Sequence, residues 1–439
     1  MGIFFGTDGI RGIACEELTH ELAHKCGNAL GSCTKNAKII IGADTRKSGS
    51  YIKLAFAVGA ISAGANIVDV GICTTPALSY LVRKLKYDYA VVISASHNSA
   101  KYNGIKIFTS DGFKLCDDKE NALERKFVRQ TNCSYTEIGS YRQNFKLTTK
   151  YVNYIKNQCA SDLSGLKIVI DASNGASYKI APKIFKELGA EIVTISCKKD
   201  GDNINNNCGS LYPESLIKQV KSCNADMGFA FDGDADRIIA CDESGNILDG
   251  DIILYILAKY LKSKSKLKSN CVVGTRHTNM GIENSLKENG ISLIRTDIGD
   301  KYVIAKMEEL KLSLGGEKSG HIIMRDYLTT GDGVLSAVMI AKICKETKNK
   351  LSKLAEVHLY PQCNLDVVVE DKMRIINSEK LSDEIKRTEK SLGKNSRVMV
   401  RASGTEKKIR IMVECANEVL AEIKAMQLKK IVEQIDAGI

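Results

Sequence analysis

Apolar β-rich runs that end in small polar turns and lead into helices recur along the chain. Three such stretches are "KIIIGADTRKSG" from Lys38, "KIVIDASNGAS" from Lys167 and "CVVGTRHTN" from Cys271. Helical patterns follow, and then second apolar runs, "ANIVDVG", "AEIVTIS" and "ISLIRTD". Strand, helix and strand at this short spacing predict sheets of parallel strands with helices on both faces. The three stretches begin more than 100 residues apart, which favours three similar α/β domains over a solenoid.

The C-terminal part of the chain has a different pattern. The runs "LDVVV", "RVMVR" and "IRIMVE" predict strands, and residues 381–392 and 419–435 predict amphipathic helices. This pattern predicts a smaller α+β domain. We therefore divide the chain into four domains, residues 1–160, 161–248, 249–359 and 360–439.

Composition and charge narrow the class of protein. The chain has 439 residues, of which 44% are hydrophobic and 26% charged, as in soluble globular proteins. Its net charge of +11 attracts anions, which include nucleic acids, acidic membranes and phosphorylated small molecules. The densest basic stretch, "KSKSKLK" from Lys262, follows a helical pattern and contains no aromatic residue. We interpret it as a solvated helix end and predict no binding of nucleic acid.

The cysteines and the N-terminal residues indicate a compartment. The 15 cysteines form no C-x-x-C pair and lie singly among apolar residues, which predicts free thiols in a reducing cytosol. The opening "MGIFFGTDGIRG" lacks the basic start of a signal peptide. The longest uncharged run, residues 54–68, is too short to cross a bilayer. We expect a cytoplasmic protein without a membrane contact.

Three aspartates follow a strand pattern in "FDGDADR", which begins at Phe231. Asp232, Asp234 and Asp236 would repel one another without a cation, and Mg²⁺ and Ca²⁺ take oxygen ligands. A polar turn and an EF-hand are the alternatives, but Arg237 occupies the position where an EF-hand needs glycine. The pattern favours a Mg²⁺ site, and Arg237 beside it indicates that an anion such as a phosphoryl group binds there.

A serine and a histidine are adjacent in "ISASHNSAKYNGIK", which starts at Ile93. A hydrolase serine would lie in a G-x-S-x-G turn with its histidine distant in sequence, and Ser96 has neither feature. On an extended chain the side chains of Ser96 and His97 point apart, so we expect His97 to be poorly placed to take the serine proton. A serine that carries a phosphoryl group beside Mg²⁺ and cations fits this stretch better.

Three further motifs are weak when taken alone. In "RASGTEKKIR", from Arg401, an arginine, two hydroxyls and a glycine can cradle a phosphate, although basic hairpins are common. In "GGEKSGH", from Gly315, the side chains suit sugar hydroxyls, although a polar turn is the alternative. In "GTDGIRG", from Gly6, a carboxylate and a guanidinium share a glycine-rich turn.

Taken together and in this order, the motifs resemble those of the α-D-phosphohexomutase superfamily over essentially the whole chain. "SASHN", "DGDADR", "GGEKSGH" and "SGTE" carry the resemblance, and "FGTDGIRG", "GDKYV" and "TTGDG" are most similar to the branch that acts on glucosamine phosphate. The resemblance implies four domains around one cleft, of which three are similar α/β domains with mixed sheets flanked by helices and the last is a smaller α+β domain. It further implies that Ser96 is the phosphoserine and that Ser96, Asp232, Asp234 and Asp236 are Mg²⁺ ligands. It also implies roles around the transferring phosphoryl group for Arg11, His97, Lys106 and Arg237. Sugar hydroxyls would be bound by Glu317, Ser319 and His321, and the other phosphate by Arg401, Ser403, Gly404, Thr405 and Arg410.

The reaction implied by the resemblance is an isomerisation by phosphoryl transfer. Phospho-Ser96 gives its phosphoryl group to glucosamine 6-phosphate, and the 1,6-bisphosphate that forms turns over and returns its other phosphoryl group to Ser96. Glucosamine 1-phosphate then leaves, and a sugar 1,6-bisphosphate serves as primer. The family places this step on the path to UDP-N-acetylglucosamine and cell-wall sugars. The alternatives are a phosphomannomutase/phosphoglucomutase of the same fold, a Mg²⁺-dependent phosphatase, and a non-catalytic binding protein. The partner is a hexosamine phosphate, and the chain is expected to be a monomer or a homodimer.

The sequence departs from the family pattern at several positions. Ser99 stands where proline is usual, "KYN" from Lys101 replaces an acidic stretch, and Ala402 stands where proline is frequent. Asp297 occupies a position that is often basic in relatives. We expect Arg276 or His277 to compensate, a hypothesis that an unchanged KM for the sugar phosphate in both alanine variants would exclude.

Overall fold

The computed structural model of the chain describes residues 4–6, 8–128, 130–393, 395–403 and 407–438. The chain divides into two compact units. The first comprises residues 1–278 and 289–356, and the second comprises residues 279–288 and 357–439. Short 3-10 helices lie at Lys126–Val128, Tyr135–Glu137, Phe145–Leu147, Gly209–Leu211 and Lys268–Asn270.

The first sheet of the first unit has seven strands. They are β1 (Phe5–Gly6), β2 (Gly9–Ile13), β3 (Lys38–Ala43), β4 (Asn66–Ile72), β5 (Tyr89–Ile93), β6 (Tyr102–Thr109) and β7 (Tyr141–Gln143). Their order is β1-β2-β6-β5-β3-β4-β7. The strands β5, β3, β4 and β7 are parallel, whereas β6 pairs with β5 antiparallel. The helices that follow these strands are α1 (His20–Gly31), α2 (Gly49–Ser62), α3 (Thr75–Leu85), α4 (Asp117–Arg125) and α5 (Thr148–Cys159).

The second sheet has five strands, in the order β12-β11-β10-β8-β9. They are β8 (Lys167–Asp171), β9 (Glu191–Ile195), β10 (Met227–Phe231), β11 (Ile238–Asp242) and β12 (Ile247–Leu248). The helices α6 (Ile180–Glu187) and α7 (Glu214–Ser222) connect the strands β8, β9 and β10. The strands β8, β9 and β10 are parallel, and β11 pairs with β10 antiparallel.

The third sheet has four strands, in the order β14-β13-β15-β16. They are β13 (Cys271–Thr275), β14 (Ser292–Thr296), β15 (Leu314–Gly316) and β16 (Ile322–Met324). The strands β14, β13 and β15 are parallel, and β16 pairs with β15 antiparallel. The helices of this part of the chain are α8 (Gly250–Ser263), α9 (Met280–Glu288), which belongs to the second unit, α10 (Asp300–Glu309), α11 (Gly333–Thr347) and α12 (Leu351–Leu354).

The second unit contains an antiparallel sheet with β19 in its centre. Its elements are β17 (Gln362–Val368), α13 (Lys372–Ile376), α14 (Glu379–Leu392), β18 (Ser396–Ala402), β19 (Lys408–Cys415) and α15 (Glu418–Asp436). Ile411 of the sheet and Leu428 and Val432 of α15 are buried together in its core. The helices and strands predicted for this part of the chain are confirmed.

The predicted fold class is confirmed, because three α/β sheets and a smaller α+β part follow one another along the chain. The strands of the parallel parts are apolar runs that are buried on both faces, as at Ile39 and Ile40 and at Ile168 and Val169. The mixed sheets that the resemblance implies are confirmed, since each of these three sheets contains an antiparallel strand beside its parallel strands, which the strand, helix and strand pattern alone did not predict. The domain boundaries stay a prediction.

Two further predictions concern membrane-spanning helices and the state of the cysteines. No helix within the described ranges is long and apolar enough to cross a bilayer. Every cysteine whose side chain the structure describes is a free thiol, and Cys26, Cys73, Cys241 and Cys344 are buried. Burial raises the pKa of Cys241 to about 12, so this thiol is protonated and unreactive at neutral pH.

Candidate active site

Three loops of the first unit occupy the same place in their sheets. Residues 94–101, 232–237 and 317–321 each connect a strand to its antiparallel neighbour, β5 to β6, β10 to β11 and β15 to β16. The second and third loops are adjacent. The backbone N–H of Ile238, the first residue after the second loop, donates to the carbonyl oxygen of Gly320 in the third loop at 3.1 Å. A Cβ atom on Gly233 would be only 2.6 Å from the carbonyl oxygen of Ser96, so glycine permits this close approach. Three motifs that are distant in sequence therefore meet.

Ser96 is buried and faces the aspartate motif. Its Oγ donates a hydrogen bond of 2.5 Å to Oδ2 of Asp232, and only 1% of the residue is exposed. Nδ1 of His97 lies 3.3 Å from the same Oγ. The expectation that His97 points away from Ser96 is therefore wrong. It assumed an extended chain, whereas Ser96 has a φ of +53°, in the left-handed region, which turns the two side chains toward each other.

The three aspartates form the compact acidic group that the sequence predicts. One carboxylate oxygen of each of Asp232, Asp234 and Asp236 lies within 4.8 Å of the others, and all three residues are buried. Burial, and then the negative charges of Asp236 and Asp234, raise the pKa of Asp232 well above its usual value. Among the described residues, Oδ1 of Asp234 and Oδ1 of Asp236 are buried without a hydrogen-bond partner. Such orphaned oxygens suit a hard divalent cation.

Lys106 neutralises part of this negative charge. Its Nζ lies 2.7 Å from Oδ2 of Asp234 and 3.1 Å from carboxylate oxygens of both Asp236 and Asp8. Burial alone would lower the pKa of Lys106, but the charges of Asp234, Asp236 and Asp8 outweigh it and hold that pKa well above its usual value. Lys106 is therefore a permanent cation at the triad.

Arg11, Arg237 and His97 complete the predicted set around Ser96. Arg11 forms an ion pair with Asp8, and Nε of Arg237 lies 4.0 Å from Oδ1 of Asp236. Burial, and then the charges of Arg237 and Arg11, lower the pKa of His97 to about 3. The imidazole is therefore neutral at pH 7, and the fixed positive charge comes from the arginines and Lys106.

The loop predicted to bind sugar hydroxyls adds an acid and an imidazole. Oε1 of Glu317 accepts a 2.9 Å hydrogen bond from the backbone N–H of Gly299, and burial raises the pKa of this carboxyl. His321 is 3% exposed and its Nε2 lies 3.7 Å from Oδ2 of Asp300. Ser319 is exposed on the turn.

Lys114 and Asp300 are two charged residues that the sequence reasoning did not assign. Lys114 forms ion pairs with both Asp8 and Asp300. Burial alone would raise the pKa of Asp300, but the charge of Lys114, followed by that of His321, lowers it. Asp300 lies in "GDKYV", a stretch that contributed to the family resemblance but was given no role. Lys114 lies between two apolar residues in "FKL", and this position is the one sign in the sequence that its side chain is partly buried.

The predicted phosphate loop belongs to the second unit. Arg401 on β18 and Arg410 on β19 are direct cross-strand partners. Burial and then the charge of Arg410 lower the pKa of Arg401. Ser403 is buried, and its carbonyl oxygen accepts a 2.7 Å hydrogen bond from Nζ of Lys372. Gly404 and Thr405, which were predicted to bind the phosphate, lie outside the described residues.

The acid at position 297 has a local partner. Nε of Arg276 lies 3.1 Å from Oδ1 of Asp297, and both side chains are well exposed. The pair has no net charge, so Arg276 does not restore the basic character expected at this position. The hypothesis that Arg276 or His277 contributes to substrate binding stays a prediction.

Comparison with known proteins agrees with this arrangement. The family descriptions "Phosphoglucomutase/phosphomannomutase, alpha/beta/alpha domain" I, II and III match residues 2–133, 149–245 and 249–360, and the C-terminal domain description matches residues 365–430. The phosphoglucosamine mutase of Bacillus cytotoxicus is 44% identical over 429 residues, 96% of each chain.

Solved structures show the same fold. A phosphoglucomutase/phosphomannomutase family protein of Burkholderia thailandensis has a TM-score of 0.82 and 24% identity, over 99% of this chain and 97% of that one. An N-acetylphosphoglucosamine mutase of Aspergillus fumigatus, in complex with GlcNAc-6P and magnesium, has a TM-score of 0.64 and 18% identity, over 91% and 83%. The resemblance inferred from the ordered motifs is confirmed. The chain belongs to the phosphoglucosamine mutase family, within the α-D-phosphohexomutase superfamily.

Proposed function

We propose that this protein interconverts glucosamine 6-phosphate and glucosamine 1-phosphate, with Ser96 as the carrier of the phosphoryl group. The observation that carries the proposal is the buried hydroxyl of Ser96, 2.5 Å from Asp232 in a cluster of carboxylates and permanent cations. The choice of sugar is supported by the 44% identical relative from Bacillus cytotoxicus, which is named for glucosamine phosphate. A sugar 1,6-bisphosphate is proposed as the primer that first phosphorylates Ser96.

The step at Ser96 is a phosphoryl transfer. The bond between phosphorus and Oγ of Ser96 breaks, a bond from phosphorus to the free sugar hydroxyl forms, and the hydroxyl proton ends on Oγ. The resulting 1,6-bisphosphate turns over and returns its other phosphoryl group to Ser96. Lys106, Arg11 and Arg237 stabilise the negative charge on the transferring group, and the fixed position of Oγ supplies alignment. The neutral His97 lies beside Oγ as a hydrogen-bond partner.

We propose that Asp232, Asp234 and Asp236, together with Ser96, hold one Mg²⁺ ion. Support comes from the close approach of the three carboxylates and from the two orphaned Oδ1 atoms. When bound, the ion would withdraw negative charge from the phosphoryl group. Lys106 would remain beside Asp234 and Asp236 to balance their charge.

The remaining site residues are proposed to hold the substrate. Glu317, Ser319 and His321 offer acceptors and donors for sugar hydroxyls. The second phosphate is proposed to bind to Arg401, Ser403, Gly404, Thr405 and Arg410. The division of the chain into four domains, a monomeric or homodimeric state and the absence of nucleic-acid binding complete the proposal.

The test is a parallel mutase assay with glucosamine 6-phosphate, glucose 1-phosphate and mannose 1-phosphate, in the presence of Mg²⁺ and glucose 1,6-bisphosphate. We expect preference for the glucosamine substrate, and loss of activity in Ser96→Ala. Ser177→Ala is the matched control, because Ser177 is equally buried and its Oγ has no hydrogen-bond partner among the described residues.

Other results of the assay would support one of the alternative functions or exclude Ser96. A preference for glucose or mannose 1-phosphate would keep the mechanism and make the protein a phosphoglucomutase or phosphomannomutase. Release of inorganic phosphate without isomerisation would identify a phosphatase. Full mutase activity in Ser96→Ala would exclude Ser96 as the carrier.

A further inference from the structure

A buried ion pair follows strand β3 in the stretch "GADTRKSG", which the proposed mechanism does not use. Nε of Arg46 donates to Oδ2 of Asp44 at 2.9 Å, and both side chains have no exposed surface. A buried ion pair is costly to desolvate unless its remaining hydrogen-bonding groups are satisfied. The other donors of Arg46 therefore show what the pair does.

The guanidinium of Arg46 binds the backbone of the loop that carries Ser96. Its two terminal nitrogens donate to four carbonyl oxygens, those of Ser96, Asn98, Ser99 and Tyr102. The distances to the carbonyls of Ser96 and Asn98 are 3.0 and 2.7 Å. Because Nε of Arg46 donates to Asp44, all five N–H groups of the guanidinium have acceptors. One side chain thus holds both ends of the loop.

Asp44 holds the backbone N–H of Ser96 through the side chain of Ser94. Oγ of Ser94 donates to Oδ2 of Asp44 at 2.6 Å and accepts from the backbone N–H of Ser96 at 2.9 Å. The N–H and the carbonyl of Ser96 are therefore both held, directly or through one residue, by the Asp44–Arg46 pair. The left-handed φ of Ser96, +53°, is disfavoured for a residue with a Cβ atom and persists only where its surroundings impose it.

The network also reaches the part of the chain that precedes the aspartate motif. Nδ2 of Asn205 donates to the carbonyls of Ser96 and Asn98, at 2.9 and 3.0 Å, which are the acceptors that Arg46 uses. Oγ1 of Thr45 donates to the carbonyl of Asn174 at 2.5 Å. The residues around Arg46 therefore tie the serine loop to the second sheet, whose hairpin carries Asp232.

We propose that Arg46, held by Asp44, is a positioning residue for phosphoryl transfer. It fixes the backbone on both sides of Ser96, so that Oγ stays against the carboxylate of Asp232. The inference rests on the proposed function, because it takes Ser96 as the phosphoryl carrier. Lysine cannot replace Arg46, since an ammonium has three donors on one atom and cannot serve five separate acceptors.

The test compares Arg46→Lys with the wild-type chain. We expect kcat for glucosamine 6-phosphate to fall on the order of 100-fold, because small misplacements of reacting groups cost that much. The KM is expected to stay unchanged, since the hydrogen bonds of the Arg46 side chain that the structure describes go to Asp44 and to the backbone of residues 96–102, and not to side chains proposed to bind the sugar. Transfer of a radiolabelled phosphoryl group from glucose 1,6-bisphosphate to Ser96 should slow by the same factor.

Lys53→Met is the matched control. Nζ of Lys53, on α2, lies 2.7 Å from Oδ2 of Asp69, on β4, in another buried ion pair, and its hydrogen bond goes to Asp69 and not to the serine loop. Its loss should lower stability but leave kcat per folded molecule unchanged. An equal fall of kcat in Lys53→Met would assign the effect to general destabilisation and overturn the inference.

The remaining outcomes separate this inference from the proposed function. A wild-type chain that isomerises none of the three sugar phosphates would refute the proposed function itself. An active wild type with full kcat in Arg46→Lys, or with a raised KM alone, would refute only the role of Arg46. If Arg46→Lys does not fold, Asn205→Ala decides, because it removes donors from the same two carbonyls: a fall in kcat at constant KM supports the inference and an unchanged kcat overturns it.

Discussion

Ser96 and Asp232 are 136 residues apart in the chain, and their side chains are joined by a hydrogen bond of 2.5 Å. Each residue lies in the turn between a strand and its antiparallel neighbour, in two different sheets. The serine hydroxyl is the donor, and the carboxylate that accepts has a pKa raised by burial and by Asp236 and Asp234. A metal bound here would relieve the repulsion among the three carboxylates, and this has measurable consequences.

Mg²⁺ should stabilise the folded chain through the aspartate triad. A ligand at 100 times its Kd adds about 2.7 kcal/mol to the free energy of unfolding. We expect Mg²⁺ to raise the Tm of the wild type by several degrees in a calorimetric scan, and to have no such effect on Asp232→Asn. The control is Asp242→Asn, because Asp242 is a buried carboxylate of β11 that binds the backbone N–H groups of Ser244 and Asn246. An equal Mg²⁺ shift in Asp232→Asn would show that the ion binds elsewhere.

Lys114 and Asp300 should be energetically coupled. Without Lys114, the carboxylates of Asp8 and Asp300 repel each other. We therefore expect Lys114→Met to lower the free energy of unfolding more in the wild type than in the Asp300→Asn variant. We expect a coupling energy of about 1–3 kcal/mol from urea unfolding of the two single variants and the double variant. The pair of Lys301 and Asp117, 3.1 Å apart and more exposed, is the control and should couple by less than about 1 kcal/mol. Equal coupling in the two pairs would contradict a special role for Lys114.

Arg401 should contribute to substrate binding and not to folding stability. Its cross-strand partner is Arg410, and like charges directly opposite each other destabilise a sheet. Arg401→Gln is therefore expected to leave the Tm unchanged or slightly raised. It should raise the KM for the sugar phosphate about 10- to 100-fold, which corresponds to the loss of one charge-assisted hydrogen bond.

Arg387→Gln is the control for that prediction. Arg387 lies on α14, its side chain is 77% exposed, and its ion pair with Glu384 is 3.7 Å long. Neither KM nor Tm should change in this variant. A KM for Arg401→Gln that equals the wild-type value would remove Arg401 from the proposed phosphate site.

Asp332 should make the free energy of unfolding depend on pH. It caps α11, accepts a 2.7 Å hydrogen bond from the hydroxyl of Tyr151, and burial raises its pKa to about 7. In the unfolded chain an aspartate titrates near pH 4. The stabilising contribution of the protonated form is therefore complete below about pH 4 and is lost as the pH rises through about 7, by about 1.4 kcal/mol per unit of pKa difference.

The measurement is urea unfolding of the wild type and Asp332→Asn across this pH range. Because asparagine stays neutral, the wild type should lose stability relative to Asp332→Asn as the pH rises. A stability difference that is constant between pH 4 and pH 8 would contradict the raised pKa of Asp332.

The local patterns of the chain were sufficient for much of this description. Apolar runs followed by polar turns predicted β3, β8 and β13, because the side chains that form a buried strand are neighbours in sequence. The same holds for the aspartate triad, whose three residues lie within five positions of the chain, so that a single turn brings their carboxylates close together. The family followed from the order of such motifs.

Only the tertiary structure decided which distant groups meet. The apolar runs alone could not show that β6, β11 and β16 run antiparallel, because strand direction depends on the partner strands in the sheet. The left-handed conformation of Ser96 brings His97 to its Oγ, and the contacts that impose it include those of Arg46, 50 residues earlier. The bridge from Lys114 to Asp300 spans 186 residues. Local propensity carries no record of such pairings, because their energy arises only when burial removes the paired charges from water.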